Sequence, residues 1–211
     1  FVTHLECSVT GEHYPPGVLH GLSRAGAPLL ARYDLDTLAN AVTKEDFAAR
    51  PPDMWRYREF LPLSPDIEPV SLGEIMTPLV RVPTVEKRLG MEDILVKDEG
   101  RLPTGSFKSR GMSVAVSMAK AFGVKRIAIP TAGNAGAGLA AYASRAGIES
   151  FVFTPADTPD VTASEIAFHG AKAWRVDGLV GDCAAIVAGG AGEMGWFDLT
   201  TLNEPYRVEG K

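Results

Sequence analysis

The sequence predicts an α/β protein in which parallel sheets are flanked by helices, and three observations carry that prediction. From residue 106 onward, short apolar runs alternate with longer amphipathic stretches. Gly123, Gly147 and Gly170 each stand where a helical stretch must stop, as expected of a left-handed closing residue. Strands that alternate with helices of this length connect by right-handed crossovers, which makes the sheet parallel.

The elements follow in order. The first thirty residues are dense in glycine and proline and read as irregular. Cys7 to Gly11 and Ser23 to Gly26 have the outline of a zinc ribbon with two knuckles. A structural zinc needs four soft or imidazole ligands. Only Cys7 is in place, and His4, His13 and His20 fit no knuckle spacing, so no metal site is expected. Leu35 to Arg50 reads as one helix, with Leu35, Leu38, Val42 and Phe47 near helical spacing and Pro51-Pro52 as its stop. Met54 to Phe60 reads as a short aromatic helix stopped by Pro62, and residues 62–73 as a loop. Leu79 to Val82 and Ile94 to Lys97 read as strands. Helices are predicted over 106–122, 134–146, 161–169 and 181–194. Strands are predicted over 126–130, 151–154, 173–176 and 196–199.

Composition narrows the function classes. The chain has 211 residues, 45% of them hydrophobic and 22% charged, with a net charge of −5. That is an ordinary globular balance. No basic stripe is present, so no nucleic-acid partner is expected. No apolar run is long enough to span a bilayer, so no membrane partner is expected. Two distant cysteines, Cys7 and Cys183, suggest no disulfide framework, and a reducing cytoplasm is the expected setting.

Two motifs carry chemistry. Pro103-Thr104-Gly105-Ser106-Phe107-Lys108 follows the strand-like Ile94–Asp98 and opens a helix. A lysine held at such a junction beside a polar loop is placed to form an imine with an aldehyde cofactor. Pro130-Thr131-Ala132-Gly133-Asn134-Ala135-Gly136 also follows a strand and opens a helix, where free N–H groups attract a carboxylate or phosphate. Its glycine spacing is not that of a dinucleotide loop, and Lys108 lies two positions too late for a triphosphate loop. His169 reads as a residue satisfying a helix C-terminus. Asp98 and Glu99, adjacent on a strand end, read as loop polar groups. Trp55, Tyr57 and Phe60 read as core or interface.

These motifs, together with Arg32-Tyr33-Asp34-Leu35, Trp55-Arg56-Tyr57, Leu72-Gly73-Glu74, Thr77-Pro78-Leu79, Lys97-Asp98-Glu99 and Ala140-Ala141-Tyr142, run through the chain in the order seen in a known family. The sequence resembles the threonine synthases, within the fold-type-II pyridoxal-phosphate enzymes (tryptophan synthase beta subunit-like). The resemblance implies that Lys108 holds the aldehyde of pyridoxal 5′-phosphate, that Phe107 walls its ring and that Asn134 hydrogen-bonds the ring's 3-oxygen. It implies that Thr131, Ala132, Gly133, Ala135 and Gly136 receive the amino-acid substrate. The implied reaction converts O-phosphohomoserine and water to threonine and phosphate. Family members carry hydroxyl residues where Ala132 and Ala135 stand, and they run well past Lys211 to a glycine-rich loop for the cofactor phosphate.

The chain is therefore expected to be the N-terminal part of a longer enzyme. Residues 1–104 would begin the large domain, 105–195 would form a small mobile domain, and 196–211 would return toward the large one. A dehydratase or lyase acting on another hydroxy or phospho amino acid is the alternative enzyme. A non-catalytic fragment is the alternative from another class. Exposed strand edges near 79–97 would favour a second copy of the chain, so a homodimer is the expected assembly.

Overall fold

Residues 1–211 are described by the structure, a computed structural model. The second half follows the predicted alternation. Strands β6 (Arg126–Pro130), β7 (Glu149–Pro155), β8 (Lys172–Val176) and β9 (Phe197–Asp198) form a four-stranded sheet in the order β8-β7-β6-β9. Every pairing in it is parallel. Helices α4 (Lys108–Ala121), α5 (Asn134–Ala146), α6 (Asp160–Phe168) and α7 (Val180–Met194) flank it. Gly123, Gly147 and Gly170 all have positive φ and turn the chain after α4, α5 and α6.

Two apolar clusters sandwich this sheet, as a parallel sheet covered on both faces requires. On one side Ile127, Ile129 and Val152 pack on Leu139, Tyr142 and Ile166. On the other, Phe151, Phe153 and Trp196 pack on Cys183 and Val187 of α7.

The first half departs from expectation. The opening segment is not irregular: β1 (Val2–Cys7), β2 (His13–Tyr14) and β3 (Leu29–Tyr33) form an antiparallel sheet in the order β2-β1-β3. Alternation drives it, with Leu5 and Cys7 buried and His4 and Glu6 on the other face. The helix expected over 35–50 is two helices, α1 (Leu35–Ala41) and α2 (Lys44–Ala49). The break lies at Val42-Thr43, where the Thr43 hydroxyl accepts from Asp46 N and Asp46 accepts from Thr43 N. This reciprocal capping box stabilises a new helix start more than continuation of the old one. Met54–Phe60 is a 3₁₀ helix.

Strands β4 (Leu79–Arg81) and β5 (Leu95–Lys97) pair antiparallel with each other alone, and all six residues are exposed. Between them α3 (Pro83–Leu89) starts on a proline and ends on left-handed Gly90, a helix that the reading of the sequence passed over. A last short helix, α8 (Tyr206–Gly210), packs against α4. There is no side-chain room between them: a Cβ on Gly111 would lie 2.7 Å from Arg207 O, and one on Gly210 would lie 2.4 Å from Arg110 O.

The loop over 62–73 is tied down by α4. Ser113 Oγ donates to Val70 O at 2.7 Å, and Val70 N donates to Ser117 Oγ at 2.8 Å. Both serines are buried, and each satisfies backbone that the loop leaves without a ladder partner.

Candidate active site

Lys108 is the first residue of α4. The loop before it is wound tightly, because Thr104 and Gly105 both take positive φ, at 59° and 61°. A β-branched residue adopts that conformation only when its surroundings enforce it. Ser109 supplies the enforcement: fully buried, it donates to Pro103 O and lies 3.3 Å from Thr104 Oγ1. Ser106 Oγ accepts from Lys108 N at 3.2 Å. The loop therefore fixes where the lysine leaves the backbone.

The Lys108 ammonium has no carboxylate or hydrogen-bond partner. Its neighbour is the Phe107 ring, with Nζ 3.6 Å from the centroid. Partial burial holds its pKa below the ordinary lysine value, and the charge of Arg207 adds to the shift. Lys97, by contrast, donates to Thr77 O and lies 3.9 Å from Glu99.

Asn134 is the first residue of α5 and is exposed. The two helices meet through Gly138, where a Cβ would lie 3.8 Å from Lys108 Cβ and 3.2 Å from Met112 Cγ. Asn134 lies one turn before Gly138 on the same face. The structure thus packs the first turn of α4 against α5 at Gly138, with Asn134 one turn earlier on α5.

The turn leading into α5 is held by Thr131, whose Oγ1 accepts from Gly133 N at 3.1 Å. The N–H groups of Ala132, Asn134 and Ala135 have no protein acceptor. They are the open donors of this helix start. Gly133 has open space where a Cβ would stand, whereas a Cβ on Gly136 would sit 2.6 Å from Ile166 Cδ1 and 2.8 Å from Thr131 Cγ2. Gly136 N already donates to Gly133 O at 2.9 Å. Packing alone requires a glycine at 136.

Several residues around the site carry structure that the motifs did not disclose. Glu99, read as a loop polar group, is paired with Arg110 at 2.7 Å and accepts from the Thr77 hydroxyl. The Arg110 hydrogen bond is the main reason its pKa is held down to about 2. Asp98 caps the following turn through Gly100 N, and His169 closes α6, as the sequence suggested. Glu74 is fully buried and accepts from Trp55 Nε1, Ser71 Oγ, Leu72 N and Tyr142 OH. Trp55 is thereby structural, while Tyr57 and Phe60 line a cavity of about 550 Å³. That cavity includes Arg110 and Lys97 but neither Lys108 nor Asn134. Residues 108 and 110 point to opposite sides of a helix, so it is a separate space.

A lysine-bearing loop and a helix start with open N–H groups are thus set on a parallel α/β scaffold. The comparisons agree: residues 70–211 match the family model described as pyridoxal-phosphate dependent enzyme, and the chain belongs to that family. Its cofactor is pyridoxal 5′-phosphate. A threonine synthase of Methanocaldococcus jannaschii is 35% identical over 206 residues, covering 97% of this chain and 51% of the relative. One from Methanosarcina acetivorans is 33% identical over 99% of this chain and 51% of the relative. The chain spans about half the length of these curated relatives. The fold is also that of threonine deaminase isoform 2 from Solanum lycopersicum (TM-score 0.59, 19% identity, 92% of this chain and 47% of that one). Diaminopropionate ammonia lyase from Escherichia coli shares it too (TM-score 0.61, 21% identity, 67% of this chain and 43% of that one). No helix is long and apolar enough to cross a membrane.

Proposed function

We propose that the chain forms the lysine-bearing half of a threonine synthase acting on O-phosphohomoserine. One observation carries the reading of the site: Lys108 is a partly buried amine with a lowered pKa and no counter-ion, held by a constrained loop against an aromatic ring. A lysine of that kind has its lone pair available more often than a solvated one. The residues fit pyridoxal phosphate. Lys108 would bond its aldehyde carbon, Phe107 would wall the ring, and the Asn134 amide would donate to the ring oxygen. When bound, the cofactor supplies an electron sink for charge at the substrate α-carbon.

The chain's own groups do the rest. The open N–H groups of Ala132, Asn134 and Ala135 would receive the substrate carboxylate, with Thr131 and Gly133 shaping the turn and Gly136 packing beneath it. The Lys108 amine would carry protons at the substrate carbons. Residues 105–195 would move as a small domain that closes over the site, with 196–211 returning toward the large one.

A dehydratase on a hydroxy amino acid is the second reading. Ala132 and Ala135 favour it, since neither has a hydroxyl to hold a second anion. We propose further that this chain alone binds the cofactor weakly and turns over no substrate, with a second copy covering the exposed β4–β5 edges, and that its setting is the cytoplasm. The test is product analysis of the complete gene product supplied with O-phosphohomoserine and with serine or threonine. Threonine and phosphate in equal amounts support the synthase. Keto acid and ammonia from serine or threonine, with no phosphate released, would replace it by the dehydratase.

A further inference from the structure

We propose that the β1–β2 hairpin carries a divalent-metal site of zinc-type chemistry, formed by His4, Glu6 and His13. The three donors belong to one face of the sheet. Glu6 is paired directly with His13 across the strands, and His4 precedes Glu6 by two residues on the same strand. Period-two alternation therefore puts all three side chains on the side away from Leu5 and Cys7. Their donor atoms lie within 4.8 Å of one another. Glu6 Oε2 is 3.8 Å from His4 Nε2 and 4.0 Å from His13 Nε2. Tetrahedral zinc with bonds of about 2.0–2.1 Å sets its ligands about 3.3 Å apart. The two carboxylate–imidazole gaps need to close by about 0.5–0.7 Å and the imidazole–imidazole gap by at most about 1.5 Å, a side-chain adjustment only.

The surroundings are arranged as those of a ligand set. The Thr3 hydroxyl lies 3.1 Å from Arg32 O, a pure acceptor, so its proton goes there. In that arrangement its lone pairs accept from His4 Nδ1–H at 2.9 Å, the tautomer that the proposal assigns. That leaves His4 Nε2 as a bare lone pair, and it is buried with no hydrogen-bond partner. A second-shell acceptor that fixes the tautomer and aims the other nitrogen is the usual support of a metal-bound histidine. Arg32 donates to Glu6 Oε1 at 2.8 Å, which keeps the carboxylate ionised and leaves Oε2 toward the histidines. The His4 and His13 rings are 3.9 Å apart at their centroids, an arrangement that two cations would oppose and a shared metal stabilises. Two imidazoles and one carboxylate suit zinc and leave a fourth position open to water. The site is separate from the knuckle outline at Cys7, whose thiol is buried in the opposite face.

The probe is zinc chloride titrated into the chelator-stripped chain, with a chromophoric indicator in competition. One equivalent is expected to bind tightly enough to compete. His13→Ala and His4→Gln should abolish that equivalent, and Cys7→Ser should retain it. Thr3→Val should weaken it roughly 10–100-fold through the orientation of His4. His13 is largely exposed, so its removal should leave the melting curve in place. Cobalt in place of zinc gives a reading on the unmutated chain: d–d bands without a thiolate charge-transfer band are expected. No stoichiometric binding, a thiolate band, or binding lost in Cys7→Ser and retained in His13→Ala would each overturn the site.

Discussion

Replacing Glu74 by alanine should destabilise the chain by about 2–4 kcal/mol, the cost of leaving two fixed donors without their acceptor. The figure follows from what the carboxylate holds. Trp55 Nε1 at 3.0 Å and Leu72 N at 2.9 Å are fixed donors that cannot rotate to another acceptor. Glu74 has no exposure, Trp55 is half-buried and Leu72 exposed, so each donor loses its acceptor at about 1–2 kcal/mol, the lower part of the range for an unpaired group. The hydroxyls of Ser71 and Tyr142 lose a charged acceptor but can reorient. Burial and the Glu74 charge push the Tyr142 pKa far above its ordinary value, so the phenol donates at all working pH. A chain of this size loses about 2–4 °C of Tm per kcal/mol, so the midpoint should fall by roughly 4–16 °C. Urea unfolding of both proteins, followed by far-UV circular dichroism, gives the difference. Glu74→Gln should fall between them, because its amide keeps one acceptor and turns two hydrogens toward donors. A cost under about 1 kcal/mol for the alanine variant would show that the network does not join the 54–60 segment, the 70–74 loop and α5 as described.

Gly136→Ala should cost about 1–3 kcal/mol, because its methyl group would overlap Ile166 and Thr131, while Gly133→Ala should be near neutral; melting curves of the two variants separate packing from backbone strain. Glu99 has a folded pKa near 2 against an ordinary 4.5, so its pairing stabilises the chain above pH 4.5 and is lost as pH falls toward 2. Urea midpoints between pH 5 and pH 2.5 should therefore fall less steeply in Glu99→Gln than in the native chain, and parallel slopes would contradict the pair. Asn134→Ala should keep the fold, shift the bound cofactor's absorbance and weaken its binding by about 1.5–3 kcal/mol, as for one hydrogen bond to a charged group. An unchanged spectrum with unchanged affinity would remove Asn134 from the site.

The α/β half was legible because each of its helices ends on a residue that only a turn explains. Gly123, Gly147 and Gly170 marked those ends, and the apolar runs between them are long enough to be buried strands. The first thirty residues hid their sheet because glycines and prolines of the connections outweighed the alternation of Val2–Cys7. That alternation, with Leu5 and Cys7 inward, was the available signal. The split after α1 was written in Thr43 and Asp46, but apolar spacing across Val42 and Phe47 masked it. Lys108 and Asn134 stood out in the sequence because both open helices, and the structure makes each the first residue of its helix. Glu74 and Arg110 were missed as structural partners because their contacts come from distant segments. The His4–Glu6–His13 cluster escaped for the same reason: the strand register, not chain spacing, joins it.

The central claim is that Lys108 is the cofactor lysine. Incubating the chain with saturating pyridoxal phosphate, reducing with borohydride, and mapping the labelled peptides tests it even where binding is weak. The account predicts that the label concentrates on the peptide containing Lys108, ahead of more exposed lysines such as Lys44, Lys87 and Lys125. Label distributed by exposure, or concentrated on Lys97 or another lysine, would contradict it.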